Sequence, residues 1–587
     1  MRQTGWILPA VVTLGAACAT PDETTTVDQA SSHDDDRSCG WDQWGRAASH
    51  DGSACVRGQR PDNTLASFTF DPFVPQESAE AFGDLFVHYQ VPLEDDDSVY
   101  MMEKTGTYVS CDPPGSGEPF PCGIDTQQTS QIWNEKGFRW HGNHLETAWN
   151  FESDWKPFSQ VFLWEPMFQP ALSGPFIYIP GAGGTVYQVW KHSGVTRQRI
   201  NPFGTAVDPN IFVVGGITAA DDGSIYWNTV RVDPDTFDQR GSLVRARPDG
   251  HTKLFSYDDV PGAPAAGDLC YTDFFVDQPP PPMPWPPPDQ PDGSPTLPPQ
   301  FPCGAQRPGA NVTPSIGRDG TIYTASTAAF NEFYSYVLAL RPDMTVKWAH
   351  SLRDVVQDGC GILVPYGTDP NDCREGAAFG VDPITNLPSA VWVDDASSSA
   401  PVALPDGGVI YGALSPNNGG RGYLVKFDRH GNFDGTFNFG WDVTPAIYEH
   451  DHTYSIIVKD NDYADNGPYN ITQLSADLQP EWSFKNTSTQ ACTRNPDGTI
   501  TCSDTSSDGE THPDGFEWCV NAPAVDRDGT VYATSEDGNL YAIGQGGVQR
   551  SQVFLNISIG AAYTPLSIDR RGRIYALNNG ILDVMGR

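Results

Sequence analysis

Hydrophobic and polar positions alternate in short runs along most of this chain, and tight polar turns separate the runs. From about residue 90 onward one unit recurs: an apolar strand often opened by proline, an Asp-Gly-type turn, and a strand carrying tyrosine, often followed by a further short strand. The clearest copies are Pro314-Ser315-Ile316-Gly317-Arg318-Asp319-Gly320-Thr321-Ile322-Tyr323 and Pro523-Ala524-Val525-Asp526-Arg527-Asp528-Gly529-Thr530-Val531-Tyr532. Further copies run from Pro401 to Tyr411 around Asp406-Gly407, from Pro445 to Tyr454 around Asp451-His452, and from Pro565 to Tyr575 around Arg571-Gly572. Weaker ones centre on Asp97 to Tyr100, on Phe176 to Tyr187 with Gly183-Gly184, and on Asp222-Gly223 to Tyr226, which brings the number to eight.

Asp-Gly predicts a two-residue hairpin turn with both central residues at positive φ, and the alternating Ile, Val and Tyr beside it bury one face of a strand. A second hairpin often follows, as in Glu536-Asp537-Gly538-Asn539-Leu540-Tyr541-Ala542-Ile543, and several units end on a strand holding Trp, such as Val346-Lys347-Trp348. Four strands per unit is a propeller blade. The predicted fold is therefore all-β: an eight-bladed β-propeller of four-stranded antiparallel blades, or a seven-bladed one if a degenerate copy near Asp97 or Phe176 is not a blade.

The last copy stops at Arg587 one strand short, so Asn63 to Phe73 or Leu85 to Gln90 is expected to complete it and close the ring. The copies are spaced irregularly, from about 40 to nearly 100 residues apart, so long insertions must leave the blades. One of them, 278–302, carries Pro279 to Pro282 and Pro286 to Pro288. It reads as a stiff loop held at its base by Cys270 and Cys303, with recognition by a partner's aromatic groove as the alternative.

Residues 1–18 read as a secretory signal: Arg2, an apolar run from Trp6 to Ala17, then Cys18. The small residues before Cys18 resemble a bacterial lipoprotein signal in which Cys18 is lipidated; ordinary signal cleavage is the alternative. Residues 19–60 read as a flexible acidic tether and N-terminal extension, and 61–587 as a single propeller. Export makes the remaining cysteines disulfide candidates, with sequence neighbours suggesting Cys39 to Cys55, Cys111 to Cys122, Cys270 to Cys303, and Cys360 to Cys373. Cys492, Cys502 and Cys519 then leave one thiol over.

The balance of 35 basic against 74 acidic residues, a net charge of -39, repels phosphate backbones and argues against nucleic acid as a partner. Any contact with a membrane is expected only through the N-terminal lipid, at the bacterial outer membrane or in the periplasm or extracellular space, and the protein is expected to be a monomer.

The run from Asp526 to Ile543, Asp-x-Asp-Gly-Thr-Val-Tyr-x-x-Ser-x-Asp-Gly-x-Leu-Tyr-Ala-Ile, resembles the repeat of the pyrroloquinoline-quinone (PQQ) alcohol dehydrogenases and their non-enzymatic propeller relatives. The resemblance implies the fold, while function must be argued from the site. In the dehydrogenases it implies a quinone held between a Trp and a disulfide of adjacent cysteines, with Ca²⁺ and an Asp base. No Cys-Cys dipeptide occurs in this chain, and no motif position matches the ligand set.

Local candidates for metal are Asp460, Asp462 and Asp465, whose spacing before Gly467 gathers hard oxygen ligands suited to calcium. His450 and His452 share one face if extended and could hold Zn²⁺ or Cu²⁺, as could His141 and His144 with Glu146. A hairpin tip explains the first His pair and blade packing the second. The expected function is that of an exported, envelope-anchored binding or scaffold protein taking an envelope protein, a glycan or a small ligand on the funnel face. A PQQ- and Ca²⁺-dependent periplasmic dehydrogenase is the alternative, and a hydrolase or lyase on the same scaffold a third option.

Overall fold

The repeated turns take one geometry, and it differs from the two-residue hairpin expected from Asp-Gly. Only the glycine adopts positive φ, as at Gly320 (78°) and Gly407 (85°), and the aspartate ahead of it keeps ordinary backbone angles. The aspartate instead accepts a hydrogen bond from the amide two residues on: Asp319 from Thr321 (2.9 Å), Asp406 from Gly408 (2.8 Å), Asp222 from Ser224 (2.8 Å). A short polar side chain that folds back on its own backbone explains why Asp recurs there. Asp451 and His452, at φ 45° and 63°, do take the two-residue form.

The protein was analysed as a computed structural model that describes residues 39–81, 83–109, 130–158, 164–275, 283–364, 369–463, 467–507, 509–560 and 562–587. Among these residues, eight four-stranded antiparallel meanders form the blades of a β-propeller. Their first, inner strands are Leu93–Asp95, Ala171–Ser173, Ile211–Ala219, Ser315–Ile316, Val402–Ala403, Ala446–His450, Ala524–Val525 and Ser567–Ile568, numbered here as blades 1 to 8. Each copy of the sequence repeat corresponds to one blade. Blade 4 carries an extra strand, Gln306–Pro308, paired beside Ser315–Ile316 on Ile322–Ala328. Blade 8 is completed by Asn63–Thr69, antiparallel to Ile581–Gly586, so the earlier of the two expected segments closes the ring.

The repeated tyrosines are buried and bond across to a neighbouring blade. Tyr323 donates to the Gly407 carbonyl (2.7 Å), Tyr454 to Asp406 (2.5 Å), and Tyr575 accepts from the Trp140 indole (2.9 Å). Each satisfies a buried hydroxyl while packing its ring, which accounts for Tyr over Phe at these positions.

Residues 39–59, grouped with the tether on sequence, run through the centre of the ring. They visit the inner strands in blade order. Glu94 of blade 1 exchanges backbone hydrogen bonds with Trp41 (3.0 Å each way), and Leu172 of blade 2 donates to the Asp42 carbonyl (2.7 Å). Ala219 of blade 3 donates to the Gln43 side chain (2.6 Å). Ile316, Ala403, Ile447 and Val525 of blades 4 to 7 donate to the carbonyls of Ala48, Ser49, Asp51 and Gly52 at 2.6–2.9 Å. Gln59 then donates to Gly572 in the first turn of blade 8. Inner strands present an unpaired edge, and this strap satisfies it blade by blade. A disulfide joins Cys39 to Cys55.

In an antiparallel meander the first and third turns lie on one face, and the second turn and the inter-blade link on the other. The long links, 153–170, 257–314, 352–401 and 486–523, therefore all leave the same face. Disulfides Cys270–Cys303, Cys360–Cys373 and Cys492–Cys502 pin three of them, and Cys519 is a buried free thiol. Cys18, Cys111, Cys122 and Asp465 lie outside the described residues. Within the insertion 278–302, Trp285 is buried against Phe275 (4.9 Å), and the Arg374 guanidinium bonds Pro287 (3.0 Å) and Asp289 (3.0 Å) from the neighbouring insertion. No helix among the described residues is long and apolar enough to cross a membrane.

Candidate functional site

A cavity of ≈ 650 Å³ opens on the insertion face, assembled from links and second turns far apart in sequence. The link before blade 1 supplies Asp84 and Phe86, the link after it Trp164, and the link before blade 6 Trp441. Blade 6 gives Tyr463 and Tyr469 from its second turn, and the long link that follows gives Glu510, His512, Asp514 and Glu517. Glu536 and Gly560 come from blade 7 and the link after it.

The wall is aromatic. Trp164 and Trp441 meet edge to face at 5.8 Å, Phe86 packs on Trp164 at 4.5 Å, and His512 stacks on Phe516 at 3.7 Å. The charge is of one sign: Asp84, Glu510, Asp514, Glu517 and Glu536 line the cavity, and no Lys or Arg stands among its described lining residues. Glu536 accepts from the Gly560 amide (2.9 Å). Glu517 is half-buried at the cavity wall, and no described residue donates a hydrogen bond to its carboxylate. Burial, with Asp84 adding to it and Lys459 opposing it, pushes its acid up to about 7.

Behind the Trp pair lies a buried polar layer. Asp442 accepts from the Ser398 amide (2.5 Å) and hydroxyl (2.8 Å) and from Ser397 (3.1 Å), with His88 Nε2 at 3.6 Å. Burial alone would raise the Asp442 acid, but His88, Lys459 and Ser398 outweigh it and hold the group below the usual carboxylate range. Hydroxyl, carboxylate and imidazole are thus neighbours. Yet Ser398 and His88 both face the carboxylate, and a serine nucleophile needs the hydroxyl on the imidazole. The set buttresses the cavity floor, and the hydrolase option finds no triad in it.

A second cluster braces the seam where the ring closes. Lys104 Nζ lies 2.7 Å from Asp71, 2.7 Å from Glu165 and 3.0 Å from Glu77, all buried. Burial and the Asp71 charge push the Glu77 acid well up, against the pull of Lys104.

The sequence candidates for metal fall elsewhere. Asp460 bonds the Arg421 guanidinium (2.6 Å) and the Thr472 hydroxyl (3.0 Å), and Asp462 lies 3.5 Å from Arg421. His450 stacks on Tyr448 (4.9 Å) and bonds Ser455 (2.8 Å), whereas His452 sits at the exposed turn tip. His141 and His144 flank an exposed turn at the Gly142 corner of blade 1. Among the described residues no group of three or more His, Cys, Asp or Glu is placed to hold a metal ion.

PQQ is a tricarboxylate, and the cavity does not fit it. Its described lining is acidic and includes no Lys or Arg to meet those charges, no group of ligands placed to hold Ca²⁺ stands among the described residues, and adjacent cysteines are absent from the chain.

No family model matches the chain, and no curated protein matches it. Among solved structures, the chain is similar to a europium-containing methanol dehydrogenase at 12% identity, covering 92% of this chain and 89% of that one with a TM-score of 0.45. It is similar to BamB from Moraxella catarrhalis at 10% identity, covering 89% and 99% with a TM-score of 0.39. It is also similar to the quinohemoprotein alcohol dehydrogenase of Comamonas testosteroni at 10% identity, covering 92% and 76% with a TM-score of 0.45.

Proposed function

We propose that this chain is an exported, envelope-anchored binding propeller whose ligand sits in the insertion-face cavity. The observation that carries the reading is the cavity itself: ≈ 650 Å³, walled by Trp164, Trp441, Tyr463 and Tyr469, and built from links that the ring holds rigid. A pocket of that size suits a small ligand, one sugar unit or the side chains of a docked protein loop. Export and anchoring rest on the signal-like segment ending at Cys18.

The test is thermal melting of the intact protein against oligosaccharides, peptides and small organic ions. The expected result is a saturable rise in Tm with one of these classes that Trp441→Ala abolishes. A Tm unmoved by every class, together with no change in partner capture on Trp441→Ala, would overturn the reading.

A further inference from the structure

We propose that the side chains of Lys104 and Asp71 condense into an amide bond, a covalent clasp across the seam where the ring closes. The inference is independent of any ligand and goes beyond the binding reading.

The two reacting groups are already in contact. Lys104 Nζ lies 2.7 Å from Asp71 Oδ2, and neither side chain reaches solvent. An amine and a carboxyl fixed together in a dry site need no encounter step and meet no bulk water to reverse the condensation. An ion pair buried this deeply also carries a desolvation cost, which conversion to a neutral amide removes.

The surroundings supply the rest of the chemistry. Asp71 Oδ1 accepts from the Phe73 amide (3.0 Å) and Oδ2 from the Tyr89 hydroxyl (3.0 Å), so the carboxyl is polarised at both oxygens. Glu165 Oε2 at 2.7 Å and Glu77 Oε1 at 3.0 Å from Nζ are placed to take and return protons. Glu77 Oε2 is buried and finds no hydrogen-bond partner among the described residues. A cluster built only to hold an ammonium ion has no use for such an oxygen, whereas a proton relay does. Burial, and then the Asp71 charge, raise the Glu77 acid, which suits a group that both gives and takes a proton. Burial opposes the charge on Lys104, but Asp71, Glu165 and Glu77 outweigh it and hold the amine protonated, so Nζ must first hand a proton to a carboxylate.

The step balances within the cluster. Nζ passes one proton to Glu165 and attacks Asp71 Cγ; the C–N bond forms, and Oδ1 carries the negative charge against the Phe73 amide. A second Nζ proton leaves through Glu77 as the Cγ–Oδ2 bond breaks, and Oδ2 departs as water with both protons. An ammonium and a carboxylate thus become an amide and a water, with no oxidant, no cofactor and no net proton exchanged. The net charge of the cluster is the same before and after, so removing Lys104 uncovers one further negative charge in either state. Asp71 follows the closing strand Asn63–Thr69, and Lys104 lies on Ser98–Gly106, the second strand of blade 1. The bond therefore ties the segment that closes the ring to the first blade, where the Lys104 amide already donates to the Phe70 carbonyl (2.7 Å).

Peptide mass spectrometry reads the bond on the unaltered, intact protein after denaturation and digestion with a glutamate-specific protease, which cuts between the two residues. The expected result is one branched species carrying both Asp71 and Lys104, lighter by one water than its two component peptides. Recovery of the two as separate peptides of unmodified mass would overturn the proposal. Glu77→Gln is expected to restore the separate peptides, and a complete cross-link in that variant would overturn the relay assigned to Glu77. Because the bond is read on the unaltered protein, a poorly folded variant does not blunt the test.

Discussion

The Trp44 indole donates a hydrogen bond of 3.1 Å to the Thr444 hydroxyl across 400 residues of sequence, joining the central strap to the link before blade 6. Thr444 in turn accepts from the Ala400 amide ahead of blade 5 (3.1 Å), so one strap residue ties two neighbouring blades. The strap is therefore part of the core.

Trp44 is 0% exposed. Trp44→Ala should cost about 3–5 kcal/mol in chemical denaturation, as expected for emptying a large buried site. A loss under about 1 kcal/mol would show that the strap is dispensable.

His50 lies on the same strap, its Nδ1 3.0 Å from the Pro401 carbonyl. Burial lowers it to about 4 from 6.5, against the opposing pull of that carbonyl and of Asp51. Its folded pKa is depressed, so the stability it contributes is whole above pH 6.5 and is lost as pH falls toward 4. The stability difference between the unaltered protein and His50→Gln should shrink or reverse over that window by up to about 3 kcal/mol. A difference constant from pH 7 to 4 would contradict the burial of a neutral imidazole.

Lys104→Met should be severely destabilising at pH 7, by about 3–5 kcal/mol, because three buried carboxylates lose their cation. Glu77 and Glu165 have folded pKa values above the unfolded 4.5, so their contribution is whole below 4.5 and is lost as pH rises. Removing Lys104 pushes both further up. The deficit of the variant should accordingly grow from pH 4.5 upward, and a deficit independent of pH would show that Lys104 does not offset the charge of these carboxylates.

Glu517 sets a matching slope at the cavity. Its acid is raised from 4.5 to about 7, so the free protein should lose stability as pH climbs through that interval, with a slope approaching about 1.4 kcal/mol per pH unit from this group. Glu517→Gln should remove that part of the slope. An unchanged pH–stability profile in the variant would mean the carboxylate is solvated.

The blades were legible in the sequence because each is a local unit, with its turn, its tyrosine and its strand falling within about ten residues of one another, as in Asp526 to Tyr532. Closure by Asn63–Thr69 was legible from the missing last strand. The turn type was misjudged because Asp-Gly fits two geometries, and the Asp side-chain bond selects between them only in three dimensions. The strap could not be read: Trp41, Gln43 and Trp44 have no periodicity, and the strap's partners are seven inner strands and one turn that meet only once the ring has closed. The cavity was hidden for the same reason. Trp164, Trp441 and Glu517 lie in three separate links that carry no repeat. Calcium at Asp460 was suggested by local spacing, and that spacing gave no sign of Arg421, which comes from the neighbouring blade.

The central claim is that the insertion-face cavity is an acidic, aromatic binding pocket that excludes a polyanionic quinone. Calorimetric titration of the intact protein with PQQ, with and without Ca²⁺, followed by a dye-linked alcohol oxidation assay, tests it most directly. The account predicts no saturable PQQ binding under either condition and no turnover. Calcium-dependent PQQ binding with alcohol oxidation would contradict it and make the same cavity the active site of a dehydrogenase.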